Sequence, residues 1–302
     1  MDKKSTINRI KVIYAACAWG TMGLFVRWID LPTSVIACGR GFVGALFLYL
    51  IYAASTKSFK LDLNAIRANL IWLVLSGIAL GVNWILLFEA YRKTSIAIAT
   101  LCYYMAPIIV MIVSAVLYKE GMNARKIVCI LLALVGMVMV SGVLNGSVGQ
   151  GYGIEGMLLA FGAAVFYATV TILGRKNEGI DAFTETIVKL LVAAIILIPY
   201  NLVTVEAGSL KPDAGMIILL VILGIAHTGG AFGAYFSAIH NLPMQEVALF
   251  TYLDPVVAVL ASVFVMKEQF YPIEFAGAIV LIGTLLIYEL TDKKTGGPDE
   301  QA

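Results

Sequence analysis

Apolar residues in this chain run in long blocks, with polar residues gathered between them. Ten blocks stand out, at roughly 10–28, 34–54, 69–91, 95–118, 126–144, 153–174, 183–203, 214–239, 244–266 and 273–290. About 18 or more consecutive apolar residues, rising 1.5 Å each, cross a hydrocarbon layer of about 30 Å. The pattern therefore predicts an all-α polytopic membrane protein with ten transmembrane helices. Connections between blocks are too short to hold a soluble domain. Composition agrees: 61% of residues are hydrophobic and 13% charged, too few charges to clothe a soluble surface.

Charge distribution sets an expected orientation. With the N-terminus in the cytoplasm, the outer side holds Arg27, Arg92, Lys93, Lys211 and Lys267, and Arg40 and Lys189 lie within helices. Every other Lys and Arg of the 21 then falls on the cytoplasmic side. This positive-inside excess favours both termini in the cytoplasm, as an even helix count requires, and a cell (cytoplasmic) membrane location. Ala16-Cys17-Ala18 resembles a signal-peptide cleavage site, but the apolar run continues past it, so an uncleaved helix is expected. Cys17, Cys38, Cys102 and Cys129 each lie in an apolar run without metal-like spacing and read as buried small side chains.

The chain repeats itself. Cys102–Glu120 (CYYMAPIIVMIVSAVLYKE) and Phe250–Glu268 (FTYLDPVVAVLASVFVMKE) align with Tyr104 on Tyr252, Pro107 on Pro255, Ser114 on Ser262 and Glu120 on Glu268, always 148 residues apart. The same offset pairs Gly81 with Gly229, Phe88 with Phe236 and Arg27 with Arg175. Each half holds five helices, an odd number, so the second half enters from the opposite side. Two inverted five-helix repeats are a secondary-transporter arrangement, with substrate sites near the midplane between halves. The repeats are expected at 1–144 and 153–291, joined by an outer linker at 145–152 and followed by a polar cytoplasmic tail at 292–302.

With these features the chain resembles the drug/metabolite transporter superfamily, EamA type, over nearly its whole length. The residues carrying the resemblance are Pro107, Glu120 and Gly136, then Pro255, Glu268, Gly277 and Gly283, with Trp19-Gly20, Arg40 and Asp254. The second half departs from the pattern at Tyr167-Ala168 and at Val188, opposite Arg40. The resemblance implies a transport fold and leaves the substrate open among amino acids, sugars, nucleosides, drugs and other metabolites.

Asp254 leads the candidates. It lies about 15 Å along its helix, near the midplane, where a carboxylate costs about 2.5–3.5 kcal/mol on insertion scales. Two readings stand: proton coupling or contact with a cationic substrate group, and a structural carboxylate serving donors freed around Pro255. His227 is suited to a proton relay or to a polar contact within the bundle. Asn83, Trp84, Trp19, Tyr103, Tyr104, Tyr167, Tyr252 and Tyr235 lie deep, where hydroxyls and amides need partners, and could line a cavity. Structural or gating candidates are Arg40, which could pair with Asp30; Lys189; Glu89, beside Arg92 and Lys93; the prolines Pro107 and Pro255; and Gly81 and Gly229, on small-residue stripes for close packing. Glu120 and Glu268 read as anchors capping the start of the next helix.

No G-x-x-x-x-G-K-[ST] motif occurs, so the sequence gives no sign of an ATP-driven pump. Metal-ligand clusters and nucleophile elbows are absent too, so no enzyme activity or cofactor is expected. No basic tail is long enough for nucleic acid. The expected partners are the lipid bilayer, a small-molecule substrate and protons as coupling ion. The expected function is alternating-access movement of a small metabolite, with export of amino acids or related compounds taken from the resemblance. The alternative is import of a cationic compound such as a quaternary amine or drug.

Overall fold

A computed structural model describes residues 3–117, 124–140, 144, 153–206, 208, 210–239, 241–242, 247 and 250–292. All regular structure among them is helical. We label the principal helices α1 (Lys3–Trp28), α2 (Thr33–Thr56), α3 (Leu70–Lys93), α4 (Ile96–Leu117), α5 (Ala124–Val140), α6 (Ile154–Gly174), α7 (Ala182–Thr204), α8 (Ala214–Ile239), α9 (Leu253–Val265) and α10 (Pro272–Asp292). Seven have the length and composition to cross a membrane; the apolar runs described in α5, α9 and α10 are shorter. Large apolar side chains such as Leu46, Leu131, Leu202, Val203 and Ile279 point outward, as expected of helices facing lipid. The protein is a multi-pass membrane protein.

Helix starts follow local chemistry. The side chains of Ser95, Asp181 and Asp213 accept N–H bonds from the first turns of α4, α7 and α8, satisfying donors that the helix leaves orphaned. Interruptions follow proline. Pro107 lacks an N–H and crowds the carbonyl four residues back, and α4 is broken at Tyr104–Met105. The matching turn lies at Tyr252, three residues before Pro255.

The repeat governs how the halves pack. α3 lies on α6 as α8 lies on α1; α3 on α7 as α8 on α2; α4 on α6 as α9 on α1. The other main inter-half pairings among the described residues join each helix to its own repeat partner: α2 with α7, α4 with α9, α5 with α10. Exchanging the halves maps this set onto itself. Gly81 and Gly229 serve equivalent crossings. A Cβ on Gly81 would lie 3.0 Å from Ile196 Cδ1 in α7, and one on Gly229 2.6 Å from the Gly44 carbonyl oxygen in α2.

α5 and α10 meet at Gly136 and Gly277. A Cβ on Gly277 would fall 2.6 Å from Met139 Cβ and 2.8 Å from the Gly136 carbonyl oxygen, whereas one on Gly283 meets nothing within 4 Å. Gly277→Leu is therefore expected to cost about 1–3 kcal/mol by overpacking, and Gly283→Ala to be near neutral. Unfolding temperatures of the two variants in detergent check this; equal shifts would refute it.

Candidate functional site

The break in α4 and the turn that opens α9 face each other. The rings of the repeat-related Tyr104 and Tyr252 meet at 6.1 Å between centroids. Beside them the Tyr104 hydroxyl donates to Asp254 Oδ2 at 2.9 Å, tying the halves together at the one intramembrane carboxylate predicted from sequence. α1 closes over this point. A Cβ on Gly20 would sit 2.5 Å from the Asp254 carbonyl oxygen, so only glycine lets α1 approach so closely. Asp254 has no acidic repeat counterpart, since Ala106 stands there.

Aromatic residues flank the centre. Trp19 packs its ring on Phe232 at 5.4 Å and Tyr235 at 5.5 Å. Tyr167, the repeat counterpart of Trp19, packs on Tyr103 at 5.5 Å. Asn83 is buried and donates to the Ala163 carbonyl at 2.6 Å, with the Tyr103 hydroxyl at 3.5 Å. Its amide thus fastens α3 to α6 within reach of that tyrosine.

A second polar cluster lies across α1. Arg40 is 2% exposed, with its guanidinium 4.5 Å from the Trp84 ring centre and 5.3 Å from that of Phe88. It donates to Thr228 Oγ1 at 3.1 Å and to the Met22 sulfur; Asp30 is not among its partners. The His227 ring packs at a tilt of 59° against Phe25, with centroids 4.3 Å apart, and its Nε2 lies 3.1 Å from Thr21 Oγ1. Both Thr228 and His227 belong to a π-helical segment of α8, Ile225–Gly230, a backbone form frequent at functional sites.

At the end of the bundle that carries Trp28 and Lys93, Arg27 pairs with Glu268 Oε1 at 2.7 Å. The same guanidinium donates to the carbonyls of Tyr91 and Thr94. Glu268 Oε2 accepts the Ile96 N–H at 3.0 Å and the Ser262 hydroxyl. Lys267, with φ of 57°, turns the chain at the end of α9, and the Glu268 N–H returns to the Ser262 carbonyl at 3.1 Å. Glu268 therefore serves the start of α4 rather than that of α10, because this turn folds it back toward α1 and α4. Glu120 lies outside the described residues.

Glu89 differs from its expected pairing. It accepts the Thr33 hydroxyl, while Arg92 donates to the carbonyls of Ile29 and Leu31 and Lys93 pairs with Glu155. The orphaned carbonyls at the end of α1 draw Arg92 away from Glu89. Lys189 pairs with Glu185 one turn earlier. Nearby, the Asn69 side chain donates to the Glu178 carbonyl at 2.8 Å and accepts its N–H at 2.9 Å, another bridge between halves. The four cysteines are free. Cavities of about 290 and 520 Å³ lie along α3 and α7 and at the Glu89 end; neither is lined by Asp254 or Arg40.

The duplicated frame matches a known family twice. The EamA-like transporter family matches residues 9–142 and again 154–289. The chain belongs to the EamA-like transporter family. This EamA-like protein has relatives that match nearly its whole length. It is 30% identical to the uncharacterized transporter YxxF of Bacillus subtilis, over 86% of this chain and 82% of that one. With an uncharacterized transporter of Archaeoglobus fulgidus it shares 25% identity over 94% and 98%. A crystal structure of 19% identity superposes with a TM-score of 0.65 over 96% of this chain and 99% of the other, a likeness of fold.

Sequence reasoning singled out Asp254, Tyr104 and Tyr252, which meet at the centre. Trp84, Arg40 and His227 gather in the second cluster. Thr21, Met22, Phe25 and Thr228 were missed, because isolated threonines and apolar residues in an apolar helix carry no pattern of their own.

Proposed function

We propose that this EamA-like transporter is a secondary active carrier that moves a small organic metabolite across the cytoplasmic membrane by alternating access. Its halves form two oppositely inserted five-helix repeats, ten spans in all, with both termini cytoplasmic. The observation that carries the reading is the exchange-symmetric packing of the halves around the Tyr104–Tyr252 contact, with Asp254 bonded across it. Two similar halves of opposite sense can trade conformations, so that a closed end opens as the other closes. The Arg27–Glu268 network closes the end that this orientation places outside.

Asp254 is the coupling carboxylate in this reading, and protons are the coupling ion. Export of amino acids or related metabolites is the preferred direction and class. A second reading, import of a cationic compound, is favoured by Asp254 lying beside Tyr104 and Tyr252, whose rings suit a cation. Proteoliposomes loaded with amino acids, assayed with and without an inwardly directed proton gradient (acid outside), test the first reading. Gradient-driven flux supports it; flux indifferent to the gradient removes the coupling, and competition by quaternary amines moves the assignment to the second.

A further inference from the structure

We infer that Arg40, supported by Thr228 and His227, forms a carboxylate-binding subsite between α1, α2, α3 and α8, and that the transported solute carries an acidic group. The substrate assignment rests on the transport reading; the binding itself does not.

Arg40 carries a full charge at 2% exposure, yet among the described residues no carboxylate lies within 4.0 Å of it. Its partners are one hydroxyl, one thioether sulfur and two aromatic faces. Cation–π contact offsets part of the desolvation, but none of these groups bears a negative charge, and buried charges are normally paired. A guanidinium offers five N–H donors in a planar fork that matches a carboxylate bidentately, and only two are used here. His227, 6% exposed, lies one residue from the threonine that holds Arg40; its Nε2 faces Thr21 and its ring also meets the Ile222 backbone.

The cluster also shares a layer with Asp254. Within one turn of α1, Gly20 touches the Asp254 carbonyl, Thr21 meets His227 and Met22 meets Arg40. Gly20 and Met22 lie about 200° apart on the helix, so the two centres sit at one height on opposite faces of α1. The repeat supplies no second copy. Ala79, Leu80 and Val188 occupy the positions equivalent to His227, Thr228 and Arg40. The frame is duplicated, whereas this polar cluster is single, as a site for one asymmetric solute requires.

The test uses full-length protein in nanodiscs and two acid–amide pairs of matched shape: benzoate with benzamide, and butyrate with butyramide. Thermal unfolding is followed against concentration. The carboxylates are expected to raise the unfolding temperature saturably, and the amides to leave it unchanged. Arg40→Gln should weaken the carboxylate effect about tenfold or more, and Arg40→Lys should retain part of it. If Arg40→Gln does not fold, Thr228→Val, which removes the hydroxyl that orients the guanidinium, replaces it; loss of the acid preference supports the subsite. Equal shifts by acids and amides, or an undiminished preference in the folded variant, overturn it. Proteoliposome flux is read separately. Carboxylate binding without any flux leaves the subsite standing and removes the transport reading.

Discussion

Asp254→Asn is expected to cut solute flux in proteoliposomes about ten- to a hundredfold, as loss of a charged hydrogen-bonding group costs about 1.5–3 kcal/mol. Thermal stability should hardly change. Asparagine keeps the size of the side chain and an oxygen able to accept from Tyr104, now at 2.9 Å. It removes only the charge and the proton that the carboxyl can carry. Because an intramembrane charge is costly, its loss spares desolvation and does not loosen the fold. Tyr104→Phe is the contrasting change: it keeps the charge but takes away the one side chain that donates to it among the described residues, so stability should fall along with flux. Wild-type flux in Asp254→Asn, with the protein folded, would remove the residue from the mechanism.

The second large effect concerns Arg27 and Glu268. Their side chains are 23% and 14% exposed, so the pair is only partly screened by water and stronger than a surface pair. Glu268 also holds the Ile96 N–H and the Ser262 hydroxyl, so one side chain gathers α1, α4 and α9. Ser114, the repeat counterpart of Ser262, is buried and has no hydrogen-bond partner among the described residues, which do not include Glu120. Glu268→Gln removes the ion pair while keeping an acceptor for Ile96. A loss of about 1.5–3 kcal/mol shifts a two-state equilibrium about ten- to a hundredfold toward opening at this end. A cysteine placed at Tyr91, in a background without the native cysteines, should then react correspondingly faster with a membrane-impermeant maleimide. Arg27→Gln should act alike, and the double variant should add little, since both remove one interaction. Unchanged labelling would refute the role of the pair.

The sequence alone was enough for the class of molecule, because burial in lipid demands long apolar helices and leaves that demand written in every block. It was also enough for the repeat, since a shared frame preserves Tyr104 with Tyr252 and Pro107 with Pro255 at one spacing. Asp254 was legible for the same reason: a charge in an apolar helix is conspicuous. Partners were another matter. Nothing along the chain joins Arg40 to Met22 and Thr228, or Glu268 to Arg27 and the first turn of α4. Nor did local charge order foretell that Arg92 would serve the carbonyls at the end of α1 and leave Glu89 to Thr33. Hydrophobic periodicity says that a residue is inside, but not against what. Which helices meet, and at what height, is fixed by close approach at positions such as Gly20 and Gly229 and by the breaks before the prolines. Only the packed bundle brings those heights together.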